Sequence, residues 1–450
     1  MNSTAPSLSP TPAPAPPPGP KPTGVYRVLH TADWHLGKLL GELSRAEEHT
    51  RLLNFLLDQI RTLAVDALII AGDVFDSANP PQSAVAQYYD FLSALLRPGG
   101  CAVVIIAGNH DSPAQLEAPR QLLGVLGARV VGGMPADAAE VLLPLPDADH
   151  PRLLVAAVPF LRDRDLRLGQ SGQSALEIQQ SLVTGIQRRY DEAAAAAQPW
   201  KARGVPVLAT GHLTVVGGRA SSSEREIHVG GLGAVGAAAF SPTFDYVALG
   251  HLHGPQAAGG RATVRYAGSP IPLSFSEAED DKSVRVLDFA ANALAAQYEL
   301  PVPAARRLCR LTSTRADLPG LLAGFTPPPA EFPAWVELTI TDPVAGENLF
   351  DQVQELTKGR AWQVVRVVGR REGEAVALTP EDPADVAGIT DLLADPAKVF
   401  AHRLAAESGL GEVERTALGT VFLELLELHA EQQRAGAEAG RGKSRPPVPA

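Results

Sequence analysis

Five short, almost unbroken apolar runs constrain this chain of 450 residues more than any other feature: "YRVLH" (26–30), "ALIIAG" (67–72), "AVVIIAG" (102–108), "PVLATG" (206–211) and "YVALG" (246–250). A strand with one wet face alternates apolar and polar side chains. A run without alternation reads as a central strand covered on both faces. The runs are separated by longer amphipathic stretches, which predicts α/β layering from Val25 to about Asp288.

The stretches between them have their own signals. "SRAE" at 44–47 reads as a capping box opening a helix, and Leu52, Leu53, Leu56, Leu57, Ile60 and Leu63 then follow helical spacing. A second helix is predicted from Pro81 to Leu96, and a third from Ala175 to Ala197 with an alanine run as filler. Composition shifts near Asp288 to Arg306. Beyond that point "WVELTI" (335–340), "LFDQVQELTKG" (349–359) and "WQVVRVVGRR" (362–371) predict a small β-α-β module. "EDPADV" then opens a final helical segment, in which Leu418, Val421, Phe422, Leu425 and Leu428 form an apolar stripe.

The first 24 residues are biased to Pro, Ala and Ser and lack the basic start and apolar middle of a signal peptide, so they read as a disordered, partly polyproline tail. Residues 436–450 form a basic, Pro-containing tail read the same way. Hydrophobic residues make up 45% and charged residues 20%, as in soluble globular chains. No apolar stretch approaches the roughly 18 residues that span a membrane. Two cysteines far apart exclude a disulfide framework and point to a reducing cytoplasm. A net charge of -11 argues against gripping nucleic acid by bulk electrostatics, so DNA binding would need a local positive site.

The residues just past each apolar run supply such a site. The first run leads into Asp33 and His35, the second into Asp73 and Asp76, the third into Asn109, His110 and Asp111; the fourth ends in His212 and the fifth in His251 and His253. Singly these have ordinary explanations: a turn after a strand, a helix cap at Asp73, a glycine-asparagine turn at Asn109, or a loop at "GHLHG". Their joint occurrence at the same end of five strands does not. In open α/β sheets ligands bind beyond the carboxyl ends of the strands, so folding would gather these residues in one crevice.

Asp33, Asp73, His35, His212, His251, His253 and Asn109 make a mixed oxygen and nitrogen donor set suited to divalent Mn, Fe or Zn. The set is too large for one ion and suits two that share a bridging carboxylate. Two divalent ions less two aspartates leave a charge of about +2, which can bind phosphate oxygens and bring the pKa of water toward neutrality for attack on phosphorus.

The succession "DWH", "GDVFD", "GNHD", "GH", "GHLH" resembles the calcineurin-like metallophosphoesterases. The blocks "HTADWHLGK", "AGDVFDSANPP", "AGNHDS", "PFLRDRD", "ATGHLTVVGG", "YVALGHLH", "YAGSPIPLSFSE" and "KVFAHRLA" narrow the resemblance to the SbcD family, the nuclease subunits of bacterial SbcCD complexes, over about residues 25–435. The resemblance implies a two-sheet α/β sandwich with helices on its outer faces, a small α+β capping domain and C-terminal helices. It also implies domain bounds of 25–290 for the nuclease domain, 295–375 for the cap and 380–435 for a helical region that docks on the SbcC ATPase.

Carried over by motif, one metal ion would be held by Asp33, His35, Asp73 and His253, and a second by Asp73, Asn109, His212 and His251, with Asp73 as the bridge. The ion preferred in the family is manganese, with magnesium an alternative that so imidazole-rich a set disfavours. His110 would donate a proton to the departing 3′ oxygen or stabilise its charge. Asp76 would either hydrogen-bond the His110 ring and fix its tautomer or serve as a helix cap. "GDVFDSAN" lacks the arginine-glycine of serine/threonine protein phosphatases, and His30 and His228 read as structural.

The resemblance further implies a homodimer within a heterotetramer that acts on DNA in repair, recombination and replication. The activities would be a 3′ to 5′ exonuclease on duplex ends and an endonuclease on single strands and hairpins, in a cytoplasmic protein found at the nucleoid when on DNA. The alternatives are the same site acting on nucleotides or other small phosphodiesters, and a scaffold protein that binds DNA and ATPase without cutting.

Overall fold

The computed structural model describes residues 18–166, 175–220, 224, 234–343 and 349–369. The apolar stripe Leu418 to Leu428, the helical segment 380–435, His228, residues 1–17 and the C-terminal tail lie outside the described residues.

All five apolar runs are strands, and they are shared between two six-stranded sheets. From edge to edge the first sheet runs Ala293–Pro301, Ser283–Ala290, Tyr26–Thr31, Ala67–Ala71, Ala102–Ile106 and Ala128–Val131. Its last four strands are parallel, and Ser283–Ala290 pairs antiparallel with Tyr26–Thr31. The second sheet runs Gln256–Ala258, Arg261–Tyr266, Tyr246–Gly250, Val207–His212, Leu153–Ala156 and Leu142–Leu145, again parallel at its centre.

The unalternating runs are explained by what covers them. In the first sheet Val28, Ile69, Val104 and Ile106 point toward the second sheet, where they meet Leu153, Val155, Leu208 and Ala248. Their neighbours Leu29, Leu68, Ile70, Val103 and Ile105 point the other way, onto the helices Ala46–Thr62 and Gln82–Leu96. Helix Ala175–Ala202 covers the outer face of the second sheet, with Leu182, Ile186 and Tyr190 packed against Val207, Ala209 and Val247. The result is the expected α/β sandwich with helices outside. Each such side chain contributes about 1.5–3 kcal/mol on burial, which is what fixes the two sheets face to face.

One reading of local structure is corrected and another is borne out and extended. The helix after "SRAE" begins at Ala46, with Arg45 in the N-cap position and no side-chain cap. The Arg45 guanidinium instead donates to Glu48 at 2.7 Å and to the Pro272 carbonyl at 2.8 Å, both buried, and this tertiary anchor outweighs a local capping box. The predicted β-α-β module is larger than its sequence signal. A parallel three-stranded sheet joins Arg306–Ser313, Phe332–Ile340 and Trp362–Gly369, flanked by helices Leu318–Gly324 and Leu349–Thr357. Strand Ala293–Pro301 belongs to the first sheet, so that sheet extends to residue 301.

The register puts the carboxyl ends of the strands level. Thr31 pairs with Ile70, Ala71 with Ile106, and Gly250 with His212. Beyond those ends the loops are stitched together across the sandwich. Asp33 N donates to the Gly72 carbonyl at 3.0 Å, His35 N to the Asp73 carbonyl at 3.0 Å, and Phe160 N to the Ala107 carbonyl at 2.9 Å. Among the described residues no helix is long and apolar enough to cross a membrane.

Candidate metal centre

The stitched loops bring all seven donor residues to one end of the sandwich, around the carboxylate of Asp73. Its Oδ2 lies 3.5 Å from His35 Nε2 on one side and 3.3 Å from His212 Nε2 on the other. Asp33, His35 and His253 offer donor atoms within 4.8 Å of one another, and so do Asp33, Asp73 and His212. Asn109 Oδ1 is 3.0 Å from His212 Nε2, and the His251 ring stands 5.4 Å from the His212 ring, centre to centre. His110 lies beside this group, its ring 4.7 Å from that of His35. Asp33, His35, Asp73, His212, His251 and His253 are buried.

Three of the four donor histidines have one ring nitrogen committed outward, which leaves the other to face inward. His212 Nδ1 donates to the Ala71 carbonyl at 2.9 Å, a partner that can only accept. His253 Nδ1 lies 3.0 Å from Glu277 Oε1, and His35 Nδ1 lies 3.2 Å from Asp76 Oδ1. Partners of this kind fix the tautomer of a metal-binding imidazole and raise its basicity.

Two observations test whether metal ions fit here. First, His35 Nε2 is buried with no hydrogen-bond partner among the described residues, although a carboxylate oxygen stands 3.5 Å away. A buried polar atom of that kind is uncommon and asks for a ligand. Second, His212 Nε2, with Nδ1 holding the proton, faces two acceptors, Asn109 Oδ1 and Asp73 Oδ2. Three acceptor atoms converging on one point need positive charge between them, supplied either by a proton on His212 Nε2 or by a metal ion. Metal bonds of about 2.0–2.2 Å put neighbouring donor atoms about 3–3.5 Å apart, which is the spacing found around Asp73. The donor set fits.

The electrostatics carry the same demand for positive charge. Burial alone would lower the pKa of His212, but the carboxylates of Asp73 and Asp33 push it up to about 9. Burial pushes Asp33 up to about 7, against the pull of His212 and His253. For Asp73 burial acts in the same direction, yet His212, His35 and His110 hold its carboxyl well below the usual range. Burial lowers His35 to about 4 and sets His251 well below its ordinary value, so both rings are neutral with lone pairs to give.

The backbone is strained at these positions. Among the described residues seven that are not glycine have positive φ, and four of them are donors: Asp33 (53°), His35 (48°), Asp73 (50°) and His251 (100°). Each costs about 1–3 kcal/mol, and such costs cluster where geometry serves a ligand. Two glycines make room. A side chain at Gly72, whose φ is 90°, would strike His212 Nδ1, and one at Gly108 would strike the Asp73 carboxylate.

The expected bond from the Asp76 carboxylate to His110 is corrected. His110 Nδ1 does reach residue 76, but its partner at 2.7 Å is the main-chain carbonyl. The carboxylate turns away because Lys38 Nζ, at 3.0 Å, and His35 Nδ1 draw the negative charge toward them. Helix Gln82–Leu96 starts at Pro81, so Asp76 is not its cap. His30, read as structural, sits within its strand with Nδ1 3.3 Å from Tyr246 Oη, and burial lowers its pKa to about 3.

Three residues to which sequence reasoning assigned no role support the donors. Asp111 accepts from Val74 N, Phe75 N and Gly108 N at 3.2, 3.0 and 2.9 Å, tying the loop of Asp73 to the loop of Asn109. Glu224 accepts from His253 N at 2.8 Å, and Glu277 accepts from its ring. Asp111 adjoins "GNH" and Glu277 closes "YAGSPIPLSFSE", so both stood inside quoted blocks, without a spacing that would give them a role.

The family model described as Calcineurin-like phosphoesterase matches residues 26–255, and one described as Type 5 capsule protein repressor C-terminal domain matches residues 305–408. The SbcD protein of the SbcCD nuclease of Escherichia coli K12 is 36% identical over 412 residues, which cover 91% of this chain and 100% of that protein. The chain belongs to the SbcD family. Other SbcD proteins agree. The one from Rhodobacter capsulatus is 41% identical over 312 residues, covering 66% of this chain and 74% of that one. The one from Bacillus subtilis is 36% identical over 265 residues, covering 58% and 66%.

Proposed function

We propose that this SbcD-family chain is a DNA nuclease subunit: a phosphodiesterase with two divalent ions, preferentially manganese, that degrades duplex ends 3′ to 5′ and cuts single strands and hairpins. The observation that carries the reading is the convergence of seven donors from five strand ends on the Asp73 carboxylate, in a chain that spans the whole of a relative named as part of a nuclease.

In this reading Asp33, His35, Asp73 and His253 hold one ion and Asp73, Asn109, His212 and His251 the other. When bound, the ions supply Lewis acidity toward the phosphodiester and a hydroxide nucleophile at neutral pH. The chain's own proton donor is His110. Its Nδ1 is committed to the Asp76 carbonyl at 2.7 Å, so the proton it gives to the departing 3′ oxygen is carried on Nε2. Asp76 acts one step back: its carbonyl orients His110 and its carboxylate orients His35.

The wider assembly is also a proposal. The nuclease domain runs from 25 to 301, because strand Ala293–Pro301 closes its first sheet; residues 302–375 make the cap that engages DNA and residues 380–435 dock on an SbcC-type ATPase, in a cytoplasmic complex serving DNA repair, recombination and replication. A homodimer is supported by an apolar face formed by helix Arg120–Val125 and its C-cap residue Leu126, where Leu122, Val125 and Leu126 are 67%, 86% and 52% exposed and share the i, i+3, i+4 spacing of one face. The double change Leu122→Glu and Val125→Glu should turn a dimer into a monomer in sedimentation velocity. A variant that sediments as the wild type does would remove this face from the interface.

The substrate is tested by giving the manganese-loaded protein a linear DNA duplex and a small chromogenic phosphodiester side by side. DNA should be cut with the higher kcat/KM. Hydrolysis of the small diester with intact DNA, in the presence and absence of the ATPase partner, would leave the metal chemistry standing and replace the substrate by a nucleotide or similar diester.

A further inference from the structure

We infer that Glu277, clamped by Lys282, is a positioning residue for His253 and thereby sets how tightly one of the two ions is held. The inference rests on the reading of His253 as a metal ligand. Both oxygens of the Glu277 carboxylate are committed. Oε1 stands 3.0 Å from His253 Nδ1, while Oε2 accepts from Lys282 Nζ at 2.6 Å, Leu273 N at 3.1 Å and Ser269 Oγ at 3.2 Å.

Lys282 holds more than the carboxylate. Its ammonium also donates to the His253 main-chain carbonyl at 3.1 Å and to Ser269 Oγ at 3.1 Å. One cation therefore grips the backbone of His253 and the group that grips its ring. Glu277, Lys282, Ser269 and His253 are all buried, so no water competes for these bonds. A carboxylate accepting from Nδ1–H keeps the proton there, aims the Nε2 lone pair inward and makes that nitrogen the better donor to a metal.

A buried ion pair is not in itself a sign of function, since such pairs add little net stability. What distinguishes this one is its direction. The short turn Phe275–Glu277 packs Phe275 against Leu308 and Trp335 on one side and delivers Glu277 to the histidine on the other.

The test uses the full-length protein and manganese titration by calorimetry, with free ion followed by electron paramagnetic resonance. Two variants are read: Glu277→Gln, and Glu277→Gln with Lys282→Met, which removes both charges and leaves no unpaired one buried. The wild type should bind two ions per chain. In the variants one of the two should bind about 10- to 100-fold more weakly, with the metal-free melting temperature of the double variant unchanged and DNA cleavage restored by raising manganese. Folded variants that bind both ions as the wild type does overturn the inference. So does failure of both variants to fold, which would assign the pair to the core. A wild type that binds no manganese would instead bring down the underlying reading of the metal site.

Discussion

Asp73→Ala is expected to abolish DNA cleavage, lowering kcat/KM by about a thousandfold or more, and to empty both ion sites together. Asp73 faces both halves of the cluster through one atom, with His35 3.5 Å from its Oδ2 and His212 3.3 Å from the same oxygen. Its removal leaves converging histidine lone pairs with one carboxylate, Asp33, in place of two, so the negative charge that offsets the ions is halved. It also frees the main-chain N–H of His110, which donates to Asp73 Oδ1 at 2.9 Å. By contrast, loss of a donor at the edge of the cluster, such as Asn109, should weaken one ion more than the other. Metal counted per chain by mass spectrometry, beside single-turnover cleavage, checks this. An Asp73→Ala protein that keeps two ions and cuts within tenfold of the wild type would remove Asp73 from its bridging role.

His110→Ala is expected to separate metal binding from chemistry: both ions retained, and cleavage lowered by about a hundred- to ten-thousandfold. The separation comes from which bonds the substitution spares. The backbone bond from residue 110 to Asp73 Oδ1 does not involve the ring, so the Asp73 carboxylate keeps its support. Asp111 still ties Val74, Phe75 and Gly108 together. The loss is confined to a ring held by the Asp76 carbonyl and packed edge-on against His35. A variant that loses an ion would make His110 a ligand. One that cuts as fast as the wild type would leave it without a part in proton transfer.

Much of this arrangement is legible in the sequence because two rules of sheet architecture act in series. Runs such as "ALIIAG" and "YVALG" cannot alternate when both faces are covered, so they announce central strands. Chain beyond the carboxyl end of such a strand is delivered to the ligand-binding edge, which makes Asp33, Asp73, Asn109, His212 and His251 neighbours although more than two hundred residues separate the first from the last.

What the sequence hides is decided by direction and by distance along the chain. That residue 76 serves His110 through its carbonyl and His35 through its carboxylate depends on where Lys38 places its charge. Glu277 reaches His253 across 24 residues, with no periodicity to connect them. Strand Arg306–Ser313 escaped notice because "RRLCRLTS" mixes exposed arginines with few apolar positions, and its pairing with Phe332–Ile340 is what makes it a strand. The capping box at "SRAE" failed for a related reason, since Arg45 found better partners in Glu48 and Pro272 than a helix end could offer.

The most direct test of the central claim is cleavage of a 3′-labelled linear duplex by the full-length protein with manganese, magnesium or a chelator, with metal content measured on the same preparation. Two ions per chain are expected, with cleavage in manganese, little in magnesium and none with chelator. A metal-loaded protein that leaves DNA intact under all three conditions, alone and with its ATPase partner, would contradict that claim.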